Sequence, residues 1–247
     1  MLSKAQIKNI KSLSIQKYRK EQQLFVAEGE KIAAEWLRSD KKILYIIATE
    51  DWAAQNTHLI SRHPGASFYQ VTQQVLDSIS SLKTPNGILL VVALEEPSNP
   101  STTSKEWMLA LDTIQDPGNM GSIIRIADWF GIKTIVCSKD CVDSYHPKVI
   151  QSAMGSHLRV QLFSTDLKEF LSTTTMPIVS ATLNGENLYQ FKPIEAAILL
   201  IGNEGNGIQE SLLKLATHKI TIPRKGGAES LNAAMATGIL CSHLLPH

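Results

Sequence analysis

Residues 222–240, IPRKGGAESLNAAMATGIL, carry the chain from a short apolar strand into a helix through Gly226, Gly227, Glu229, Ser230 and Asn232. Small and polar groups that run straight into Ala233, Ala234, Met235, Ala236 and Gly238 predict a helix that starts near Ser230 and packs closely against a neighbour. Working backwards, the strand 219–223 follows a helical stretch, IQESLLKLA, and a buried strand, AAILLIG at 196–202. Earlier come PIVSATL at 177–183, HLRVQLF at 157–163, TIVCS at 134–138 and WMLALD at 107–112, with helical spacing between them. Apolar strands separated by helices predict a parallel sheet.

In such a sheet ligands collect at the carboxyl ends of the strands. Three polar or Gly-rich stretches stand there: DTIQDPGNMGSIIR after 107–112, IGNEGNGI after AAILLIG, and IPRKGGAESLN after 219–223. Glycines expose backbone N–H groups to a ligand, and a helix N-terminus points its own into the same space. Known nucleotide motifs do not match: GNEGNG is spaced GxxGxG, and no GxxxxGK[ST], GxSxG or HExxH occurs. Ser230 with His218 or His243 as base has no supporting spacing, and serine is a common N-cap.

Towards the N-terminus, EEPSNPSTTSK predicts a linker at 95–106, with a second domain at 107–247. Residues 1–94 alternate helices with the strands ILYIIA, FYQVT and GILLVVAL, which predicts a small α/β sandwich. The stretch FVAEGEKIAAEWL reads as a turn near Gly29 and a helix through Leu37. Net charge is divided: residues 1–92 hold 12 Lys and Arg against 8 Asp and Glu, and the remainder 12 against 15. Lys4, Lys8, Lys11, Lys17, Arg19 and Lys20 precede the first acid, a cluster suited to a phosphate backbone as well as to a solvated helix face.

The longest apolar runs, such as ILLVVAL at 88–94, fall short of the roughly 18 residues of a membrane span. No apolar secretory h-region is evident, so a cytoplasmic protein is expected, although the acid-poor start is also a weak feature of transit peptides. Cys137, Cys141 and Cys241 lack paired zinc spacing, so reduced thiols and no metal are expected.

Together the three stretches resemble, in order and near spacing, the three signature motifs of the SpoU (TrmH-like) RNA ribose 2′-O-methyltransferases of the SPOUT superfamily. QDPGNMGSIIRIADWFG places Asn119 and Arg125 at the positions of the family's polar functional residues, LLIGNEGNGI supplies Glu204, and IPRKGGAESLNAAMA supplies Ser230 and Asn232. KSLSIQKYRKEQQLFVAEGEK and SSLKTPNGILLVV are similar to the family's substrate-binding domain, which has the fold of kink-turn-binding ribosomal proteins. In the third motif Arg224 and Lys225 depart from the apolar and small residues frequent in the family.

The resemblance implies a C-terminal parallel-sheet domain tied in a trefoil knot, a homodimer with each site completed by the partner, and S-adenosyl-L-methionine (SAM) as cofactor. By position its contacts fall at Thr182, Leu183, Gly202, Ile222, Leu231 and Ala233, which could equally fill core. Glycines 202, 205, 207, 226 and 227 permit the close backbone approach of a knot. The implied reaction is methylation of a ribose 2′-hydroxyl in structured rRNA or tRNA, gripped by Lys11, Lys17, Arg19 and Lys20. Arg125 is the family's hydroxyl-activating group; a permanently charged guanidinium suits orienting a phosphate and stabilising alkoxide charge better than taking a proton. Asn119 would position Arg125 or the ribose, Glu204 would orient its loop or face substrate, and Ser230 and Asn232 would hold the site and cap the last helix. Methylation of a base nitrogen and a non-catalytic RNA-binding relative are the alternatives.

Overall fold

The computed structural model describes residues 2–95, 99–103 and 105–245. Its contacts divide the chain into two units: Met1–Glu96 with Tyr145–Leu158, and Pro97–Ser144 with Arg159–His247.

The first unit contains α1 (Lys4–Ser12), α2 (Gln16–Gln22), β1 (Leu24–Glu28), α3 (Glu30–Arg38), β2 (Ile43–Ala48), α4 (Glu50–Gln55), α5 (Thr57–Ile60), β3 (Ser67–Gln70), α6 (Gln73–Ile79) and β4 (Ile88–Ala93). Its sheet has the order β1-β4-β2-β3, antiparallel except for the parallel pair β2 and β3. Side chains alternate across a strand, and here both faces are covered. Ile88, Leu90 and Val92 join Phe25, Trp36 and Leu37, whereas Leu89 and Val91 join Ile10, Leu13, Leu76 and Ile79 on the other face. The predicted sandwich is therefore three layers. One strand was not legible in the expected pattern: β1, which precedes the turn at Gly29.

Arg19 differs from its expected role. It is 1% exposed and its Nη1 donates to the Leu13 carbonyl oxygen at 2.6 Å, so it ties α2 to the end of α1 and does not present its charge to a phosphate. Lys11, Lys17 and Lys20 are exposed, with Lys17 3.8 Å from Glu21.

The second unit contains β5 (Met108–Leu111), α7 (Pro117–Trp129) and β6 (Thr134–Ser138); α8 (Pro147–Ala153), next in the chain, belongs to the first unit. Then follow β7 (Gln161–Thr165), α9 (Leu167–Thr173), β8 (Ile178–Asn187), β9 (Ile198–Ile201), α10 (Glu210–Leu213), β10 (His218–Thr221) and α11 (Ala233–Leu244). All pairs in the six-stranded sheet are parallel, in the order β10-β8-β9-β5-β6-β7. Met108, Ala110, Ile198 and Leu200 pack under α9 and α10, while α7 and α11 pack on each other.

A second domain running unbroken over 107–247 differs from this partition at 145–158. Ile150 is part of the Phe25 and Trp36 core, the Tyr145 ring lies 4.9 Å from that of Phe25, and Gln151 Nε2 donates to the Glu28 carbonyl at 2.7 Å. Of the linker expected at 95–106, residues 96–98 and 104 lie outside the described residues. Its described part is tethered: the Thr102 carbonyl accepts from Thr174 Oγ1 at 2.9 Å. HLRVQLF was expected as strand from 157, but a 3₁₀ turn occupies Ser156–Leu158 and β7 begins at Gln161.

Candidate active site

From β5 the chain moves outward to β6, and from β9 it passes in the opposite direction, beyond β8, to β10. Adjacent parallel strands whose connections diverge leave a crevice at their carboxyl ends. The first two polar stretches, 112–119 and 202–209, border that crevice.

Asp116 caps α7, its Oδ1 accepting from the Asn119 backbone N–H at 2.8 Å, with Pro117 in the first turn where no N–H is needed. Asn119 Nδ2 donates to Glu204 Oε1 in a short hydrogen bond. Its Oδ1 accepts from Asn232 Nδ2 at 2.7 Å. Asn232 Oδ1 accepts from the backbone N–H of Ala234 and Met235, at 3.0 and 3.2 Å. The direction of this chain is forced. Helix N–H groups can only donate, so Asn232 must turn its NH2 to Asn119, whose own NH2 then faces a carboxylate that can only accept. Ser230 Oγ makes a long contact, 3.5 Å, with the Glu204 carbonyl oxygen. The cap of α11 is thus Asn232, not Ser230, and the helix starts three residues later than the sequence pattern suggests.

Four of the five expected catalytic residues therefore meet. Arg125 stands apart. Six residues after Asn119 on the same helix, it lies about 9 Å further along the axis and about 120° around it. It is exposed, and among the described residues it has no hydrogen bond or ion pair. Asn119 does not position it, because the Asn119 amide is engaged by Glu204 and Asn232.

Of the residues expected to hold a cofactor, Thr182 and Leu183 sit on β8, Gly202 and Ile222 directly follow β9 and β10, Leu231 lies in the loop before α11, and Ala233 opens that helix. Thr182 and Gly202 each stand two residues beyond Ser180 and Leu200, the last positions at which β8 and β9 pair with each other. Thr182 Oγ1 is buried without a hydrogen-bond partner, a cost in a finished core and an opening for a ligand. Leu183 and Leu231 are 72% and 43% exposed, large for apolar side chains, and the Leu183 carbonyl accepts from Thr221 Oγ1 next to Ile222. Ala233, the first residue of α11, is buried. A Cβ on Gly202 would meet the backbone of Gly207 and Ile208 at less than 3.0 Å, so these backbones touch; Gly207 itself has φ +67°. Gly226 and Gly227 have nothing within 4 Å of an added Cβ, so crowding does not require them. A missed position is Gly185, where a Cβ would lie 2.6 Å from the Lys219 carbonyl group.

Sequence reasoning also missed Asp112, which is fully buried, and Asn203 and Gln209, which bond to this segment. A carboxylate directly after the apolar run MLAL was the available signal. Beneath the same strand ends, a hydrogen bond with Cys137 lowers the Cys141 thiol to about 7, helped by Ser138 and the Ile114 N–H. Burial pushes the Cys241 thiol up to about 12. Among the described residues no three His, Cys, Asp or Glu gather as a metal site, and no helix is long and apolar enough to cross a membrane.

The chain is similar to known proteins over nearly all its length. A solved structure from Porphyromonas gingivalis, assigned to the TrmH family of RNA methyltransferases, superposes with a TM-score of 0.85 at 33% identity, covering 98% of each chain. An rRNA methyltransferase from Sinorhizobium meliloti, solved with AdoMet bound, gives 0.84 at 26% identity over 98% of this chain and 95% of that one. The 23S rRNA (guanosine(2553)-2′-O)-methyltransferase RlmP of Bacillus subtilis is 28% identical across 96% of this chain and 95% of its own. Residues 4–90 match the MRM3-like substrate binding domain. Residues 106–242 match the SpoU rRNA Methylase family across all three motif stretches, so the chain belongs to that family and has its trefoil-knotted SPOUT fold.

Proposed function

We propose that the protein uses SAM to methylate a ribose 2′-hydroxyl in rRNA or tRNA. The observation that carries this reading is the continuous hydrogen-bond chain Glu204–Asn119–Asn232, which joins the three motif stretches, with the exposed Arg125 further along the helix that carries Asn119. A fold kept only for RNA binding needs no such chain.

The residues present fit the cofactor. Exposed Leu183 and Leu231 offer apolar faces for an adenine ring, Thr182 Oγ1 has an unmet hydrogen bond to give, and the loop after Gly202 offers backbone groups. When bound, SAM supplies a methyl group already activated on a sulfonium, so the chain's work is alignment and handling of one proton. Arg125 orients the RNA phosphate and stabilises negative charge that develops on the 2′-oxygen. Asn119 and Asn232 fix the carboxylate of Glu204 on the substrate side, and Ser230 steadies the Glu204 backbone.

RNA is gripped by the domain at 4–90 through Lys11, Lys17 and Lys20, whose ammonium groups release counterions on meeting phosphates. The enzyme works in the cytoplasm as a homodimer. The small-residue face of α11 packs on α7, where a Cβ added at Gly238 would lie 3.7 Å from Ile126, so the exposed apolar side chains Met235 and Trp129, 63% and 85% exposed, are the better dimer contacts. Light scattering of the purified chain tests this; a monomer at micromolar concentration overturns it.

The test of activity is transfer of radiolabelled methyl from SAM to unmodified rRNA and tRNA, by wild type and by Arg125→Ala, with digestion to nucleosides. Label in a 2′-O-methylnucleoside, lost in the variant, is expected. Label on a base overturns the ribose assignment, and cofactor binding without transfer to any RNA points to a binding protein.

A further inference from the structure

Resting on that reading, we propose that Asp112 and Asn203 are positioning residues that hold the loop 203–209 at both ends, so that Glu204 meets Asn119. Asp112 follows β5 and is fully buried. Its carboxylate clasps Gln209 twice: Oδ2 accepts from the Gln209 backbone N–H at 2.7 Å and Oδ1 from its Nε2 at 2.8 Å. Thr113 Oγ1 donates to Oδ1 at 2.9 Å. The next peptide secures the other end of the loop. Asn203 Nδ2 donates to the Thr113 carbonyl at 2.9 Å, while Asn203 Oδ1 accepts from the N–H of Gly205 and Asn206, at 2.9 and 3.1 Å. Across the loop's neck, the backbones of Asn203 and Gly207 exchange hydrogen bonds of 3.1 and 2.9 Å.

Glu204 lies between these two ties. Thr113 has φ +57°, an unusual conformation for a β-branched residue, and its N–H is held by Ser138 Oγ at 3.0 Å. Backbone in that region persists only where surrounding bonds over-determine it. The strained peptide therefore presents its carbonyl to Asn203, and the segment 112–119 grips the loop at three points: residues 112, 113 and 119. Removing either outer tie leaves the loop that carries Glu204 with one anchor fewer to the segment 112–119, beside the bonds across its own neck. A displacement of about 1 Å at a catalytic site can cost on the order of 100-fold in rate.

The test uses the full chain in four forms: wild type, Asp112→Asn, Asp112→Asn with Gln209→Glu, and Asn203→Asp. Each is made with and without Glu204→Gln. The amide of Asp112→Asn has one acceptor oxygen for three donors, whereas Gln209→Glu can accept from its NH2 and remake the tie. Two readouts are taken: the NMR resonance of the Asn119 side-chain amide, and kcat for methyl transfer with saturating SAM. In Asp112→Asn and Asn203→Asp the Asn119 signal is expected to move towards that of Glu204→Gln, with kcat lowered about 10- to 100-fold. Gln209→Glu restores both. On the Glu204→Gln background the same substitutions cost less than about twofold more, because they act through a carboxylate already lost. An Asn119 signal unchanged by both tie variants overturns the inference, as does a full multiplicative loss on the Glu204→Gln background. If the wild type methylates no RNA, the activity reading falls, and the Asn119 resonance still decides the positioning claim.

Discussion

Replacing Gly202 by alanine isolates what the tight neck of the loop 202–208 demands. The added Cβ would sit within 3.0 Å of backbone atoms of Gly207 and Ile208, and backbone cannot rotate away as a side-chain tip can. Overpacking of this kind costs about 1–3 kcal/mol. For 150–250 residues each kcal/mol lowers the melting temperature by about 2–4 °C, so a fall of about 2–12 °C is expected for Gly202→Ala. Gly226→Ala and Gly227→Ala serve as controls from the same site. Nothing lies within 4 Å of either added Cβ, and neither glycine has a positive φ, so stability is expected to stay level or rise by up to about 1 kcal/mol. Scanning calorimetry of the three variants beside wild type reads the difference. A Gly202→Ala protein that melts with the two controls refutes the argument that backbone contact fixes this glycine.

Three other outcomes are expected. Thr182→Val removes a hydroxyl with no protein partner, so melting of the free protein should not fall, while the Kd for SAM by calorimetry should rise roughly 2- to 13-fold, the worth of one hydrogen bond; an unchanged Kd removes Thr182 from the site. Arg19→Ala should lower stability by about 1.5–3 kcal/mol in urea unfolding and leave the salt dependence of RNA binding unaltered, whereas Lys17→Ala and Lys20→Ala should each flatten that slope by about 0.7–0.9 without destabilising the fold. Cys141, lowered to about 7, should be alkylated at neutral pH, with a rate that rises as pH passes through about 7 because only the thiolate reacts; Cys241, pushed up to about 12, should remain unlabelled by mass spectrometry.

Apolar runs such as ILLVVA and ILLI announce β4 and β9 because strands buried on both faces need no polar alternation. The end of β8 is different. Its residues Asn184–Asn187 fall outside the strand expected at 177–183, yet Glu186 and Asn187 pair with Ile220 and Thr221 through backbone bonds that leave no hydrophobic trace. In the site, motif order named Asn119, Glu204, Ser230 and Asn232, which the fold gathers from three distant stretches. It could not separate Arg125 from them, since a motif gives spacing along the chain and the helix turns that spacing into a different face. Arg19 shows the same limit: a cluster of basic residues records charge, and only the packing of α1 against α2 decides which of them is buried. The knot has no local signature at all, because it is a property of chain path and every strand in it looks ordinary.

The discontinuity of the first unit bears on how the protein is made. When the ribosome has released residues up to Glu96, all four strands of the first sheet exist, but Ile150, Tyr145 and the Gln151 tie to Glu28 have not yet been synthesised. The Phe25 face of that sheet is covered by α3, α4 and α5 from the start, but its contacts with Tyr145 and Ile150 are completed only when residue 158 emerges, after β5, α7 and β6 of the other unit. A nascent chain stalled in this interval lacks the part of its apolar cover that Tyr145 and Ile150 supply, and so does a fragment cut at the Pro- and Ser-rich stretch. The cut that composition recommends for expressing the first unit alone therefore removes part of its core, and grafting residues 145–158 back is expected to raise that unit's melting temperature.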